Sequence, residues 1–493
     1  MADTKLFGMA AEKGRWLFVV LGLLMNLCLG SVYSYSVFKP HVQFEFNKKT
    51  AEKAGVAVNN IDKELLKGIF NLKKESADKF YASTKTITAE QVAELFSLKP
   101  DVEKDKVKID SFTKLIPEMA DKDLELLKGI KKVSSLEGNL PFMLFLAFFS
   151  ILMFFGGKIM ERLGPKKLAL IGGLIVGLGW GLSYFTQNIY MLMLTYGVIA
   201  GSGVGLAYGC PVSLGARWFP DKKGLAVGLM LAGFGGSALI TANIAGALIP
   251  KIGLFTTFMY FGIAFAIILV LLSLPYKFPE AGWKPAGWTP AGGAAATVDF
   301  TPGEMVKTST FWGLFFAYII GCLAGLMAIG VSAPVGQEII KITAATAALL
   351  TGIFAIFNAV GRPLFGALTD KITPKWAAIL NLIIILVVSL MMLQAGEGSV
   401  VLYVVAFCGF WLCLGGWLAI APAATASFFG MKDYAKNYSI VFFAYGLGAI
   451  IGGLISGFAK DLFGSMKVAF YPTAGLAVLG ILLAFVFIKP PKK

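Results

Sequence analysis

Charge is scarce in this chain. Of 493 residues only 15% are Asp, Glu, Lys or Arg, while 57% are hydrophobic. A soluble globular domain does not have this balance, and a polytopic membrane protein does. Histidine is scarcer still: His41 is the single one, at the edge of a polar stretch, where it reads as a surface residue. The five cysteines (Cys28, Cys210, Cys322, Cys408, Cys413) all fall inside apolar runs, so they read as packing residues and imply no disulfide framework. No metal-ligand cluster, nucleophile–base set or cofactor loop is found, so the expectation is a non-enzyme with no cofactor and no metal. Gly201-x-Gly203-x-Gly205 imitates a nucleotide loop, but it lies in mid-helix with no strand before it. Acidic residues are missing from mid-membrane depth. The nearest is Glu338, at the outer end of an apolar run, the one candidate here for proton coupling.

Hydrophobic length is what the chain has in abundance. Twelve runs of about twenty residues can be marked, near 15–38, 140–159, 168–186, 189–212, 224–248, 253–274, 310–333, 344–366, 376–395, 399–424, 437–459 and 467–488. The fold class predicted is an all-α membrane protein of twelve spans in two six-helix bundles. Residues 1–40 give the N-terminus and first span, 41–139 a polar extracytoplasmic insertion, and 140–274 spans two to six. Residues 275–309 form a cytoplasmic linker and 310–493 spans seven to twelve. The start, MADTKLFGMAAEKGR, leads into a full-length helix with no A-x-A site, which predicts a retained first span. The net charge of +15 is distributed by side. Roughly twenty Lys and Arg fall in alternate loops and about four in the others, which by the positive-inside rule places both termini in the cytoplasm of a plasma-membrane protein. Nucleic-acid binding is not supported.

The insertion is charged, nearly balanced and reads as helical. Thr88-Ala-Glu-Gln91 has a capping-box pattern, and the hexapeptide Glu64–Ile69 returns as Glu125–Ile130. It is read either as a substrate-collecting or partner-binding cap or as a tolerated insert. In the linker, Thr301-Pro302-Gly303-Glu304 predicts a short surface helix before span seven.

One permanent charge stands out inside the apolar runs. In TGIFAIFNAVGRPLFGALTDKITPK, Arg362 precedes the run's end at Asp370 and Lys371 by eight residues, or ~12 Å of helix. A charge at that depth costs at least ~2.5–3.5 kcal/mol, so it is expected to face a polar cavity as an anion anchor. Asn358 lies one turn earlier on the same face. Tyr208 sits deep among small residues, available to a central cavity or to packing. Tyr33 and Tyr35 suit either the interfacial belt or a ligand. Trp411, Trp417 and Tyr445 are further candidates to wall the cavity.

The chain also repeats itself. Gly157, Glu161, Arg162, Pro165 and Lys166 match Gly366, Asp370, Lys371, Pro374 and Lys375 at a constant offset, which divides the membrane part into two halves. These loops are the predicted cytoplasmic gate. The first-half partner of Arg362 is Met153, so any anion site is asymmetric.

The paired G-x-x-x-[DE]-[RK]-x-x-P-K loops, with NLCLGSVYSYSVF, WFPDKKGLAVGL, the GWKPAGW linker and FNAVGRPLFGALTD, resemble the oxalate/formate antiporter branch of the major facilitator superfamily, which is also monocarboxylate-transporter-like. The resemblance implies alternating access to a midplane site for small carboxylates, with the family's eighth-span arginine at Arg362. It also implies a second base, a span-eleven lysine in the oxalate exchangers, where this sequence has Tyr445. One cation suits a monoanion, since a dianion would leave a buried charge uncompensated at several kcal/mol. The monocarboxylate carriers place a proton-carrying aspartate where this chain has Asn358. The reading is therefore a secondary transporter of small monocarboxylates, lactate-like or formate-like, by symport with protons or by antiport. Arg362, Asn358, Tyr208, Tyr35 and Tyr445 would contact the substrate. Oxalate:formate exchange is the alternative, and a membrane sensor using the inserted domain is the alternative of another class.

Overall fold

In hydrocarbon a backbone must satisfy its own N–H and C=O groups, and a long apolar run does so as a helix. The computed structural model describes residues 5–53, 58–59, 86–87, 133–280, 283–285, 299–430 and 432–491, and they are helical almost throughout. In order they form α1 (Ala11–Leu29), a 3-10 turn (Gly30–Ser34), α2 (Tyr35–Lys53), α3 (Ser135–Leu182), α4 (Ile189–Leu192) and α5 (Gly201–Trp218). These continue as α6 (Lys223–Ile252), α7 (Leu254–Ser273), α8 (Pro302–Met305) and α9 (Ser309–Val335). The last four are α10 (Ala344–Gln394), α11 (Val400–Phe429), α12 (Tyr434–Phe463) and α13 (Phe470–Phe487). Two small antiparallel pairs, Lys5–Leu6 with Met9–Ala10 and Val58–Asn59 with Thr86–Ile87, are the strands among the described residues.

Among the described residues, ten helices are long and apolar enough to cross a bilayer. Two of them, Ser135–Phe185 and Ala344–Gln394, run for 51 residues each. At 1.5 Å per residue that is ~76 Å, more than twice a hydrocarbon layer. Each is broken once: Gly164 has φ 75° and ψ 167°, and Thr373 has φ 74° and ψ 156°. These are equivalent positions of the internal repeat, so the sequence symmetry has a backbone counterpart. The conformation belongs to glycine, and at Thr373 a β-branched residue holds it at a cost of roughly 1–3 kcal/mol. Thr373→Gly is therefore expected to raise the stability of the detergent-solubilised protein by about 1 kcal/mol, read as an upward shift in its thermal unfolding; an unchanged or lower midpoint would mean the turn is unstrained.

The helix that carries the end of the first span continues past residue 41. The helix that starts at Tyr35 runs to Lys53, and α3 begins at Ser135. Their polar side chains tie this region together: Val133 N donates to Asn47 Oδ1 at 2.8 Å and Gln43 Nε2 to Ser134 O at 3.1 Å. Ser134 and Glu137 close a capping box that fixes where α3 starts. The Thr88–Gln91 cap and the Glu64–Ile69 and Glu125–Ile130 repeat lie outside the described residues. His41 is half-buried on α2, not a loop residue.

The predicted helix before span seven is present as α8, with Thr301 and Glu304 in a reciprocal capping box and Pro302 in the first turn. Its flank docks on the C-terminal half, where Phe300 N donates to Phe429 O at 3.0 Å and Asn437 Nδ2 to Phe300 O at 2.9 Å. On the N-terminal half, Arg15 grips Asp221 with two bonds of 2.5 and 2.7 Å and donates to Trp218 O at 3.0 Å. The Arg15 hydrogen bond holds the Asp221 carboxyl below its usual range. Trp283 of the linker packs on Trp218 at 4.8 Å.

Candidate anion site

Arg362 lies in the first part of α10, buried to 4% exposure. Its mount is rigid. Gly361 and Gly415 let α10 and α11 approach so closely that a Cβ at either would strike the other helix's backbone. Asn358, one turn earlier, is fully buried and donates from Nδ2 to Trp411 O at 3.1 Å. Across from both stands α6. The Arg362 guanidinium carbon is 5.9 Å from the Phe234 ring centroid, and Asn358 Oδ1 abuts Gly235. A Cβ on Gly235 would lie 2.6 Å from that oxygen and 3.0 Å from the Ala359 backbone. Gly235→Ala is expected to wedge α6 from α10 and destabilise the detergent-solubilised protein by ~1–3 kcal/mol, the usual cost of overpacking, read as a lower thermal midpoint; an unchanged midpoint would show that the two helices part without cost.

Aromatic residues complete the enclosure. Tyr33 and Tyr445 hydroxyls share a hydrogen bond of 2.9 Å, and both residues are buried. Tyr33 also meets the Phe234 ring at 5.2 Å and the Trp411 ring at 6.0 Å. Tyr208 packs edge-on against Phe149 at 5.1 Å and Phe234 at 5.3 Å. The Tyr208 phenol comes close enough to Arg362 to interact with it as a neighbouring polar group, short of full hydrogen-bond geometry, and Tyr33 is within its electrostatic reach. None of Nε, Nη1 and Nη2 of Arg362 has a hydrogen-bond partner among the described residues, nor does Asn358 Oδ1. A desolvated guanidinium without an acceptor is unstable by several kcal/mol. The arrangement can do one thing well, which is to take an anion.

The family model described as Major Facilitator Superfamily matches residues 114–418 and 314–493. The chain belongs to the Major Facilitator Superfamily. It is 29% identical over 331 residues to the oxalate:formate antiporter of Oxalobacter formigenes, covering 67% of this chain and 77% of that protein. It is 25% identical over 409 residues to monocarboxylate transporter 14 of Mus musculus, covering 68% and 79%. In fold it is similar to a bacterial homolog of the human lysosomal transporter Spinster, with a TM-score of 0.61, 14% identity and coverage of 98% and 99%. The relatives place it near the oxalate/formate antiporter branch of the superfamily, as expected.

Of the expected site residues of this facilitator, Arg362, Asn358, Tyr208 and Tyr445 converge. Tyr35 does not join them. Its hydroxyl donates to Gly138 O at 2.8 Å and its ring stacks on Tyr196 at 5.3 Å and Phe142 at 5.8 Å. Tyr33 stands in its place. Both tyrosines are fully buried, so neither belongs to an interfacial belt. Trp411 walls the site and donates to Ser332 Oγ at 3.2 Å, whereas Trp417 stacks on Tyr318 at 5.7 Å. Glu338 lies just beyond α9, in the π-helical turn Gly336–Ile340, paired with Lys460, and its side chain is 37% exposed. The loop residues Gly157, Glu161, Arg162, Asp370 and Lys371 are exposed at the two breaks and Gly366 is half-buried there; Glu161 interacts with Lys436.

The sequence reading missed a second polar cluster, at the end of the bundle that carries the insertion. Lys39 is fully buried with Nζ 3.2 Å from Ser135 Oγ, beside Glu338, Lys460 and Asp461. Asp461 Oδ1 and Oδ2 accept from Ser135 N and Leu136 N at 2.7 and 2.8 Å. Asn139 Nδ2 donates to Gly453 O at 3.1 Å and Ser456 Oγ at 3.0 Å. These bonds join α3 of one half to α12 of the other.

Proposed function

We propose that this protein is a secondary transporter of small monocarboxylates, in which Arg362 pairs with the carboxylate and the two halves give alternating access. The observation that carries the reading is the buried guanidinium with all three nitrogens unpartnered at the interface of the halves. A carboxylate supplies two acceptors in the plane a guanidinium fork needs. Tyr208 and the Tyr33–Tyr445 pair would then close over it. Breaking each 51-residue helix at Gly164 or Thr373 gives twelve crossings, and the positive loops put both termini in the cytoplasm of the cell membrane. The repeated loops at Glu161 and Asp370 would form the cytoplasmic gate. Coupling is by proton symport, with Glu338 a candidate carrier, or by exchange.

The similarity to an oxalate:formate antiporter favours a second reading, exchange of oxalate for formate. Against it stands Tyr445 with its hydroxyl engaged by Tyr33, which leaves Arg362 as the cation of the site. The experiment is uptake of labelled L-lactate into proteoliposomes, with and without an inward proton gradient, competed by formate and oxalate. Lactate uptake insensitive to oxalate supports the monocarboxylate reading, and oxalate uptake that needs internal formate overturns it. Tyr445→Lys is expected to add the missing second cation and raise the apparent affinity for oxalate at least tenfold while that for lactate falls; no gain for oxalate would mean position 445 does not face the substrate.

A further inference from the structure

Tyr318 carries a buried donor that the anion site leaves unused. It is fully buried on α9, its ring stacked on Trp417 at 5.7 Å, and its hydroxyl has no hydrogen-bond partner among the described residues. A buried hydroxyl in that position costs stability until something accepts from it. The Tyr438 phenol of α12 comes close to it as a neighbouring polar group, short of full hydrogen-bond geometry. The groups that act on the Tyr318 hydroxyl are Tyr438, Cys322, Tyr208 and Tyr445, three phenols and a thiol. Arg362 acts on Tyr208 and Tyr33. Tyr318 and Tyr438 therefore stand one step beyond Tyr208 from the guanidinium.

The inner face of α12 shows where that step leads. Tyr434, Tyr438, Phe442 and Tyr445 are spaced by four, four and three residues, which puts them on one face. Their rings follow one another at 5.9, 5.9 and 5.0 Å. Phe442 and Tyr445 are buried at 1% exposure, whereas Tyr438 and Tyr434 are half-buried. Phe442 meets Phe149 at 5.6 Å and Tyr208 at 6.5 Å, so this face points into the protein. The face is closed beside Arg362 and opens into a vestibule from Tyr438 onward. That vestibule leads to the end of the bundle where Lys436 interacts with Glu161 of the predicted cytoplasmic gate.

We infer that Tyr318 and Tyr438 form a second, weaker carboxylate site, where the substrate rests between Arg362 and the cytoplasm. This rests on the reading of the protein as a carboxylate transporter and adds a stage to release. Two O–H donors on different helices, close but not bonded to each other, flank a point where a carboxylate oxygen accepts from both. The site is distinct from the first, because Tyr438 lies seven residues from Tyr445, or ~10 Å of helix. A phenol pair has no charge, so it holds an anion less tightly than a guanidinium does. A path across a membrane needs such a site, favourable enough to enter and weak enough to leave. Water from the vestibule serves the remaining carboxylate lone pairs.

The test uses Tyr318→Phe, Tyr438→Phe and the double variant, which keep the rings and their stacks. Uptake of labelled L-lactate into proteoliposomes gives the maximal rate and its ratio to KM, the ratio reporting capture at Arg362. The double variant is expected to lose at least about fivefold in maximal rate while the ratio stays within about twofold, and each single variant to lose about twofold in rate. A second measurement is the thermal midpoint in L-lactate. Arg362→Ala is expected to keep an upward shift, at concentrations at least about tenfold above those the wild type needs, and the added pair of Phe substitutions to abolish it. An unchanged maximal rate in the double variant, or no residual shift in Arg362→Ala, overturns the second site and leaves the transporter reading standing. A ratio that falls as far as the rate places the phenols in the Arg362 site and overturns their separate role. No carboxylate uptake by the wild type overturns the transporter reading and this inference with it.

Discussion

Arg362→Ala is expected to lower carboxylate uptake at least a hundredfold while the purified protein stays folded, and indeed becomes more stable. Both halves of that result follow from one geometry. A bidentate, charge-assisted contact contributes about 3 kcal/mol or more to binding, and each 1.4 kcal/mol is a factor of ten. The alanine side chain offers nothing in its place, and Tyr208 alone is a neutral donor. Within the protein itself, by contrast, the guanidinium is buried to 4% exposure with no hydrogen-bond acceptor among the described residues. Its removal takes away a desolvated charge with no partner to orphan, so the thermal midpoint of the unliganded protein should rise. Arg362→Lys should fall between the two in uptake, since it keeps the charge but loses the planar fork. Normal uptake by Arg362→Ala would remove the anchor. Lost uptake with a lowered midpoint would make Arg362 a structural residue.

Arg362 was legible because it is a lone charge in a long apolar run, where composition alone makes it expensive. Asn358 followed from helical periodicity, and Tyr208 from depth. The choice between Tyr33 and Tyr35 was not legible. Residues two apart point in very different directions on a helix, and which one faces inward depends on the rotation accumulated before them. Here Gly30–Ser34 is a 3-10 turn, which advances ~120° per residue where an α-helix advances ~100°. That change of rotation is not marked in the sequence, and it sets which of the two tyrosines meets Tyr445. The breaks at Gly164 and Thr373 were foreshadowed by the repeat, but the sequence marked them as loops. In the structure each is a single glycine-like residue within an otherwise continuous helix. Asp461 gave no signal at all. Its partners at Ser135 and Leu136 are more than three hundred residues away, and a charge at the end of an apolar run reads as a solvated loop residue.

Asp461→Ala is expected to open the insertion side of the bundle. The wild-type carboxylate accepts from two backbone N–H groups at the first turn of α3, at 2.7 and 2.8 Å. Those groups have no partner within their own helix, and they form the positive end of its dipole. Hydrogen bonds to a charged group contribute about 1.5–3 kcal/mol each when buried, and less at a partly solvated edge. A combined loss of about 2–3 kcal/mol shifts a two-state equilibrium roughly 30- to 150-fold. On the proposed alternating-access cycle the substitution acts on that equilibrium, because the bond crosses from one half to the other and would have to break when this side opens. Neighbouring groups cannot replace it: Lys460 is paired with Glu338, and the Lys39 ammonium, which donates to Ser135 Oγ, has no lone pair to accept from the two N–H groups. The check is the rate at which a membrane-impermeant thiol reagent labels Asn139→Cys from the insertion side, the native cysteines all being buried. The rate should rise tenfold or more with Asp461→Ala and only partly with Asp461→Asn, which keeps one acceptor but not the charge. Equal labelling with and without Asp461 would mean that packing along α3 and α12, through contacts such as Ser150 Oγ to Phe442 O at 3.1 Å, holds the halves together unaided.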